Sequence, residues 1–210
     1  MQNSSALAYK PEPARLLYEG QTLFWEGDAC NTVFELRSGI VRGVSISEDG
    51  DRQVTAFFFA GDQIGIPVTD SYRYSAEAIT DVLYTSREVG CWREALIESC
   101  RSDGTMLRSI GAEQDPVFRR GMLIGRSGAT ARLAAFLVSV IDRLEMRKGV
   151  IEFPLPQIDI AAYLAMTPET VCRSLRQLRE RGILEMPSHG QLIVCDRERL
   201  EMAAHRPEAA

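Results

Sequence analysis

The chain has 210 residues, of which 45% are hydrophobic and 25% are charged. This composition is typical of a water-soluble globular protein with one large or two smaller domains. No apolar run is long enough to cross a bilayer, and the first residues have neither the basic region nor the apolar core of a signal peptide. We therefore expect a cytoplasmic protein that does not contact a membrane.

The net charge of −5 argues against indiscriminate nucleic-acid binding, but the charge is unevenly distributed. Residues 131–210 carry 11 Lys+Arg and 11 Asp+Glu, so the whole negative excess lies in residues 1–130. Four arginines are concentrated in one short segment of the neutral C-terminal part: Arg173, Arg176, Arg179 and Arg181. A local basic patch of this kind can bind phosphate groups.

The N-terminal part has the pattern of short strands separated by turns. The strands are predicted at residues 33–37, 40–47, 52–60 and 76–86. Their spacing, with turns at Ser38-Gly39, Glu48–Asp51 and Gly61-Asp62, predicts a small antiparallel barrel or sandwich.

A helical period begins after Trp92. Four apolar residues in this segment have roughly heptad spacing, as a helix packing on its twin requires: Met106, Ile110, Val117 and Ile124. The alternative is that the same stripe covers the barrel. Pro116 predicts a break or bend in this helix, and Gly125–Gly128 predict a hinge.

The C-terminal part predicts three helices and a hairpin. The helices are expected at residues 129–146, 158–164 and 168–182, and the hairpin at 183–194, with a frayed tail beyond Met202. The turn of three residues between the second and third helices is that of a helix-turn-helix, and the hairpin would be its wing. Ala161 and Ala165 are small where we expect these two helices to approach closely.

The third of these helices begins with the sequence Thr-Pro-Glu-Thr-Val-Cys-Arg, residues 167–173. Thr167 is a suitable N-cap, and Pro168 fits the first helical position. Glu169 and Arg173 are four residues apart on one face. Arginine can donate two hydrogen bonds to guanine and glutamate can accept one from cytosine, so the pattern predicts sequence-specific DNA binding.

The whole arrangement resembles the CRP/FNR family of bacterial transcription regulators, from about Gly20 to Leu200. The resemblance is strongest in Arg-Leu-Ala-Ala-Phe at 132–136 and in residues 159–173. It implies an α+β fold, with an N-terminal antiparallel β-roll of the cyclic-nucleotide-binding type, a long dimerisation helix and a C-terminal winged helix-turn-helix. The boundaries expected are 1–101 for the roll, 102–127 for the helix and hinge, and 128–210 for the DNA-binding domain.

The Glu-x-x-[Ser/Cys]-Arg pattern is similar to the FNR and FixK branch. In that branch, the resemblance implies that Glu169 and Arg173 read a TTGA-type half-site, with Cys172 or Pro168 near the thymines. The CRP branch has a base-reading arginine where this chain has Pro168. The expected target is therefore a TTGA-N6-TCAA-like palindrome of double-stranded DNA.

The family's ligand groups are missing from the roll. A cyclic-nucleotide site of this family has a glutamate after Gly-Asp-x-x-Gly and an arginine before Ser-Ala. Here Ile66-Pro67 follow Gly65 and Tyr74 precedes Ser75, although Arg73 lies one position away. A buried phosphate without a paired cation is costly, so we predict that the roll binds no cyclic nucleotide.

The sequence also gives no cofactor site. Residues 1–29 contain no cysteine, and Cys30, Cys91 and Cys100 do not have the spacing of the FNR iron–sulfur cluster. The histidines, His189 and His205, lie outside the roll, so neither haem binding nor a metal-dependent barrel enzyme is expected. We predict a protein with no cofactor and no enzymatic activity.

Other residues have weaker assignments. Thr167, Thr170, Arg176, Ser188 and His189 are predicted to contact the DNA backbone or to support the reading residues. Arg176 and its neighbour Arg179 could equally be solvated charges, and Ser188 and His189 an ordinary exposed turn. The family suggests an RNA polymerase contact for the acidic turn 48–51, but a solvated turn is the simpler interpretation.

Cys172 is a candidate redox switch. Helix N-termini and guanidinium groups favour the reactive thiolate, and oxidation beside Arg173 would add bulk and, in the sulfinic form, charge. The alternative is a passive substitute for serine.

We therefore expect a homodimeric transcription regulator that contacts RNA polymerase as an activator. The alternative is an effector-binding sensor of the same fold, with an unidentified small ligand, whose helix-turn-helix serves protein contacts.

Overall fold

The structure is a computed structural model that describes residues 13–102 and 118–205. Three of the four predicted dimer-helix residues, Met106, Ile110 and Val117, lie outside these ranges, as does the bend predicted at Pro116. Within the described residues, no helix is both long and apolar enough to cross a membrane.

The N-terminal part is an antiparallel β-roll built from eight strands. They are β1 (Arg15–Leu17), β2 (Thr22–Phe24), β3 (Thr32–Ser38), β4 (Val41–Ile46), β5 (Arg52–Phe58), β6 (Gln63–Ile64), β7 (Ser75–Ala78) and β8 (Val82–Glu88). They form two four-stranded sheets, in the orders β1-β8-β3-β6 and β2-β7-β4-β5. Alternate residues face the interior, because successive side chains of a strand point to opposite sides.

One strand prediction in the roll was too long. The segment 76–86 is divided into β7 and β8, which belong to different sheets. The backbone N–H of Ile79 donates to the carbonyl of Ile40, and the backbone N–H of Ile40 donates to the hydroxyl of Thr80. These contacts turn the chain between the sheets, whereas the sequence pattern predicted a single strand through residues 76–86.

Two helical segments follow the roll. Helix α1 (Val89–Ser102) packs Trp92, which is 4% exposed, against Val33 and Ile66. Residues 118–124, here called α2, are helical and lead to the turn at residues 125–128. Gly128 has φ +90°, a conformation that favours glycine, and directly precedes the next helix.

The C-terminal part combines helices with a four-stranded sheet. The helices are α3 (Ala129–Val140), α4 (Gln157–Leu164), α5 (Pro168–Glu180) and α6 (Arg197–His205), and a 3-10 turn spans Ile141–Arg143. The strands are β9 (Met146–Arg147), β10 (Val150–Glu152), β11 (Leu184–Glu185) and β12 (Gln191–Val194), in the order β11-β12-β10-β9. Helices α4 and α5 form the helix-turn-helix, and β11 and β12 form its wing.

Two predictions for this part were wrong in detail, and one element was not predicted. Helix α3 ends at Val140 instead of continuing to Met146, because the chain turns there into a 3-10 turn and then β9. The hairpin of β9 and β10 was not predicted. The tail was expected to fray beyond Met202, but α6 continues to His205 and buries Ala204 to 4% exposure.

The roll and the C-terminal part share one hydrophobic core. Phe57 of β5 lies 5.2 Å from the ring of Tyr163 in α4 and 5.7 Å from the ring of Phe136 in α3. The same cluster includes Ile40 and Val54 of the roll. The predicted fold class, a β-roll, helices and a winged helix-turn-helix, is therefore confirmed, and the two parts are in direct contact.

Candidate DNA-binding surface

Helix α5 has one buried and one exposed face. Four side chains at helical spacing are buried against the core: Val171, Ser174, Leu175 and Leu178. The opposite face exposes the predicted reading residues together with most of the basic cluster, namely Glu169, Cys172, Arg173, Arg176 and Arg179. Because the apolar stripe fixes the rotation of the helix about its axis, these five side chains point away from the protein.

The first turn of α5 forms as the sequence predicts. The side chain of Thr167 accepts a hydrogen bond from the backbone N–H of Thr170 at 3.3 Å, and the two hydroxyl oxygens are 3.1 Å apart. Pro168 occupies the first helical turn, where no backbone donor is needed. The exposed N-terminal end of α5 is thus held in a defined conformation.

Glu169 lies in this first turn and is fully exposed. Its own backbone N–H and the Thr167 hydroxyl donate to the carboxylate, and this holds the pKa of Glu169 below its ordinary value. The side chain is therefore ionised at neutral pH and can accept hydrogen bonds. It forms no ion pair with Arg173 in the described part of the chain, so both groups are available to a ligand.

The arginines of the exposed face are similarly available. Arg173, Arg176 and Arg179 have no ion-pair partner among the residues that the structure describes. A guanidinium presents five N–H donors in a planar fork, which suits guanine and phosphate. The exposed face of α5 thus presents three guanidinium groups without an ion-pair partner in the described residues, with Glu169 at its N-terminal end and Glu180 at its C-terminal end.

The predicted wing residues lie at the tip of a hairpin. The hydroxyl of Ser188 donates to Gln191 Oε1 at 2.7 Å, and the side chain of His189 is exposed. Strands β11 and β12 pair at Leu184 and Val194. The side chain of Leu184 is completely buried. The tip therefore extends from a well-anchored base, as a backbone-contacting wing would require.

The turn between α4 and α5 depends on the backbone of Ala165. This residue has φ +51° and ψ +52°, a left-handed conformation that is uncommon for residues other than glycine. It ends α4, and the backbone N–H of Met166 donates to the carbonyl of Ala161 at 2.9 Å. Ala161 is buried at 1% exposure, as expected for a small residue where the two helices approach closely. Ala165 is exposed, so its small side chain is not required for contact between the helices.

Two arginines that the sequence did not single out as site residues hold the C-terminal end of α4. Nε of Arg120, in α2, donates to the carbonyl of Tyr163 at 2.9 Å. Arg132, in α3, donates to the carbonyl of Leu164 at 3.1 Å and to that of Arg126 at 3.3 Å. The last carbonyls of a helix have no partner within the helix, so these contacts satisfy them from outside.

Asp159 holds the other end of α4. Its carboxylate pairs with Arg42 and, at 3.2 Å, with Arg52, both from the roll, although it is 1% exposed. An aspartate in the first turn of a helix commonly interacts only with the helix dipole. The sequence around Asp159 therefore did not indicate that it pairs with Arg42 and Arg52.

The interior of the roll is filled by aromatic side chains. Phe24 stacks on Tyr72 with ring centroids 4.0 Å apart, and Tyr74 stacks on Phe58 at 5.5 Å. At Gly65, φ is +72° and an added Cβ would lie 3.0 Å from the Tyr72 ring, which shows how closely this ring packs on the loop.

The hydroxyls of both tyrosines bind the backbone of the roll. Tyr72 Oη donates to the carbonyl of Thr32 at 2.7 Å, and the backbone N–H of Gly65 donates to Tyr74 Oη at 3.4 Å. Arg73 is exposed and points away from this interior. Tyr72 and Tyr74 thus occupy the interior of the roll, the part of the protein that the sequence predicted to bind no cyclic nucleotide.

All five cysteines lie in the described residues, and none of them forms a disulfide bond. Cys30 is buried in the roll, while Cys91, Cys100, Cys172 and Cys195 are exposed. In the described residues, no group of three His, Cys, Asp or Glu side chains is arranged to hold a metal ion.

Two family models match the chain. Residues 14–89 match the cyclic nucleotide-binding domain, and residues 131–203 match the Crp-like helix-turn-helix domain. The two ranges correspond to the β-roll and to the part that contains α4, α5 and the wing.

Two relatives support the same assignment over most of the chain. The nitrogen fixation regulation protein FixK of Azorhizobium caulinodans is 30% identical over 186 residues, which is 85% of this chain and 73% of that protein. The fumarate and nitrate reduction regulatory protein of Escherichia coli is 32% identical over 184 residues, covering 82% of this chain and 71% of that protein.

The solved structure of FixK2 from Bradyrhizobium japonicum is similar over nearly the whole fold. It has 28% sequence identity and a TM-score of 0.83, covering 94% of this chain and 98% of that chain. A single alignment of this extent includes the roll, the connecting helices and the helix-turn-helix together. The chain belongs to the CRP/FNR family of DNA-binding transcription regulators, and FixK proteins are among its similar relatives.

Proposed function

We propose that the protein acts as a homodimer that reads a TTGA-N6-TCAA-like palindrome through the exposed face of α5. The observation that carries this proposal is the arrangement of Glu169 and Arg173. The two side chains are exposed, unpaired with each other, and lie on one face of the capped N-terminal end of the helix.

In this proposal, Arg173 donates to O6 and N7 of a guanine and Glu169 accepts from N4 of the paired cytosine. Cys172 lies near the flanking thymines. Thr167 and Thr170 keep the first turn in place, while Arg176, Ser188 and His189 contact or support contacts to phosphates.

The homodimer is supported by exposed apolar side chains of α2. Phe118 is 70% exposed and Met122 is 62% exposed, and they lie one turn apart on the same helix. The fourth predicted dimer residue, Ile124, is half-buried. A second copy of α2 would remove Phe118 and Met122 from water.

We propose the division expected from the sequence, with the roll at 1–101, the dimer helix and hinge at 102–127 and the DNA-binding domain at 128–210.

We also propose that the protein activates transcription by contacting RNA polymerase. The support comes from relatives that are transcriptional activators, among them the transcriptional activator protein FnrL of Cereibacter sphaeroides, which is 28% identical over 188 residues. The aromatic filling of the roll favours regulation without a nucleotide effector over the sensor alternative.

Oxidation of Cys172 would then switch off DNA binding. With hydrogen peroxide as the oxidant, the thiolate attacks one peroxide oxygen, an S–O bond forms and the O–O bond breaks. Sulfur is oxidised to sulfenic acid, and the leaving hydroxide takes up a proton to become water. A Cys172→Ser variant should keep operator binding after peroxide treatment, whereas equal loss in the variant and the native protein would exclude this switch.

The decisive test of the proposal is a gel shift at fixed salt, with the protein alone, on the TTGA-N6-TCAA duplex and on a scrambled duplex of equal length. Selective binding without any added effector is the expected result. Equal binding to both duplexes, or no binding, would contradict it and favour the sensor alternative.

A further inference from the structure

Asp159, itself buried, belongs to a partly buried cluster of four charged side chains at the contact between the roll and α4. Arg42 and Arg52 come from neighbouring strands β4 and β5, and Glu77 comes from β7. Glu77 accepts from Arg42 at 2.8 Å and from Arg52 at 2.9 Å, so each arginine is shared between Glu77 and Asp159. Two positive and two negative charges balance within the cluster.

Two members of the cluster, Arg52 and Glu77, are held in their charged states by the other members. Burial opposes the charge of Arg52, but hydrogen bonds to Glu77 and Asp159 outweigh it and raise the pKa of Arg52. Burial likewise opposes the charge of Glu77, but hydrogen bonds from Arg52 and Arg42 outweigh it and lower the pKa of Glu77. Three of the four partners belong to the roll, so Asp159 is the group that extends this ionic network into the DNA-binding part.

The ionic contact is directional, in contrast to the apolar contact beside it. The rings of Phe57, Phe136 and Tyr163 lie 5.2 to 5.7 Å apart, and burial of apolar surface does not depend strongly on orientation. The two oxygens of Asp159 instead bond to two different arginines, one to Arg42 and the other to Arg52. Charge-assisted hydrogen bonds of this kind restrict rotation as well as distance.

The position of α4 in turn sets the position of α5. The two helices are joined by a turn of three residues, and Val171 of α5 lies in the same buried core as Ile160 of α4. A closely packed core transmits a displacement instead of absorbing it. A change in how α4 sits on the roll therefore moves the exposed face of α5.

We propose that Asp159, held by Arg42 and Arg52, is a positioning residue that fixes the orientation of α5 relative to the roll. In the dimer this orientation sets the separation of the two reading helices, and thereby the preferred spacer between the half-sites. The effect of Asp159 on the preferred spacer rests on the proposed reading of a palindrome. Its role in holding α4 against the roll does not depend on that proposal.

The test compares Asp159→Asn with the native protein on a TTGA-N6-TCAA duplex, on N5 and N7 spacers, and on a duplex with one half-site scrambled. When a contact that couples two sites of a protein is lost, the binding affinity at either site typically changes by about tenfold. We expect affinity for the N6 palindrome to fall by about that factor and the preference for N6 over N5 and N7 to weaken. Binding to the single half-site should change much less, because Asp159 contacts no DNA.

Asp142→Asn is the matched control. It removes the same charge from an exposed carboxylate whose partner, Arg197 at 2.6 Å, belongs to the same C-terminal part. It should leave the spacer preference unchanged. An equal loss on palindrome and half-site in Asp159→Asn, or an unchanged spacer preference, would overturn the role in spacing.

Arg52→Gln is a second variant in case Asp159→Asn fails to fold. The Arg52 side chain is 39% exposed and lies in the roll, away from α5. The same weakening of spacer preference is expected, and an unchanged preference would overturn the proposal.

Hydrogen–deuterium exchange without DNA separates this proposal from the proposed function. Faster exchange in α4 and β5 of Asp159→Asn, but not of Asp142→Asn, is expected whether or not the native protein selects a palindrome. Unchanged exchange would show that Asp159 does not hold this contact. If the native protein does not prefer the palindrome to one half-site, the proposed function fails, and exchange alone then decides the positioning role.

Discussion

Nε of Arg120 donates a hydrogen bond to the carbonyl oxygen of Tyr163, 2.9 Å away, and so joins α2 to the C-terminal end of α4. Burial lowers the pKa of Arg120, while the neighbouring Tyr163 acts in the opposite direction. Since α2 lies within the proposed dimer helix, this contact connects the dimer region to the helix-turn-helix. Asp159 connects the opposite end of α4 to the roll.

Replacement of Arg120 by alanine should destabilise the protein. The carbonyl of Tyr163 would lose its charged donor, and such a loss costs about 1–3 kcal/mol. Urea unfolding should show a lower midpoint with an unchanged slope. Arg93→Ala is the control, since Arg93 is exposed on α1 and has no ion-pair partner in residues 13–102 or 118–205; a similar effect in both variants would contradict a specific role for Arg120.

Replacement of Arg173 by alanine should weaken specific binding by about 1–3 kcal/mol and relax selection at the guanine of each half-site. The reason is the loss of two hydrogen bonds to a base edge. Competition gel shifts with each half-site position substituted in turn would measure this.

Arg179→Ala is the matched control for Arg173, because Arg179 is exposed on the same helix near its C-terminal end. It should weaken binding by a similar amount on all sequences, or not at all. If Arg173→Ala weakens operator and scrambled DNA equally, Arg173 is a phosphate contact.

Replacement of Thr167 by alanine should destabilise α5 by about 1 kcal/mol, because the backbone N–H of Thr170 loses its acceptor. The Thr167 hydroxyl also helps to lower the pKa of Glu169, so that pKa should rise towards its ordinary value. Chemical denaturation and an NMR titration of Glu169 would measure the two effects. Thr167→Ser should retain both, and an unchanged pKa in Thr167→Ala would show that the hydroxyl does not interact with Glu169.

The sequence predicted α5 well because its signals are local. The N-cap at Thr167, Pro168 in the first turn and the apolar stripe through Leu178 all lie within twelve residues, and each acts through its near neighbours. The resulting exposed face is the one predicted, whereas the roles of its residues in base reading stay a prediction.

The contacts that hold α4 were not predictable in the same way. Arg42 and Asp159 are 117 residues apart in sequence, and only the folded chain brings them together. The strands β9 and β10 contain two and three residues, too few for a recognisable period. Ala165 adopts a left-handed backbone conformation that glycine usually occupies. Because the residue is an alanine, the sequence did not indicate this turn geometry.

The aromatic filling of the roll predicts a distinctive dependence of stability on Tyr72. In Tyr72→Phe, the carbonyl of Thr32 loses a donor at 2.7 Å, which should cost about 1 kcal/mol at neutral pH. Burial raises the pKa of Tyr72, while its hydrogen bonds with Thr32 act in the opposite direction without cancelling the rise. The unfolded chain therefore loses this proton more easily than the folded protein. The stabilising contribution is full below about pH 10, the ordinary pKa of tyrosine, and is lost as the pH rises through the higher folded value.

Urea unfolding of the native protein and of Tyr72→Phe, from pH 7 to pH 11, tests this prediction. The native protein should be more stable at neutral pH, and its advantage should shrink above about pH 10 because only the native chain titrates at this position. Tyr18→Phe is the control at neutral pH, since Tyr18 is 57% exposed and should change stability little. A constant difference between the native protein and Tyr72→Phe up to pH 11 would mean that ionisation of Tyr72 is not linked to folding.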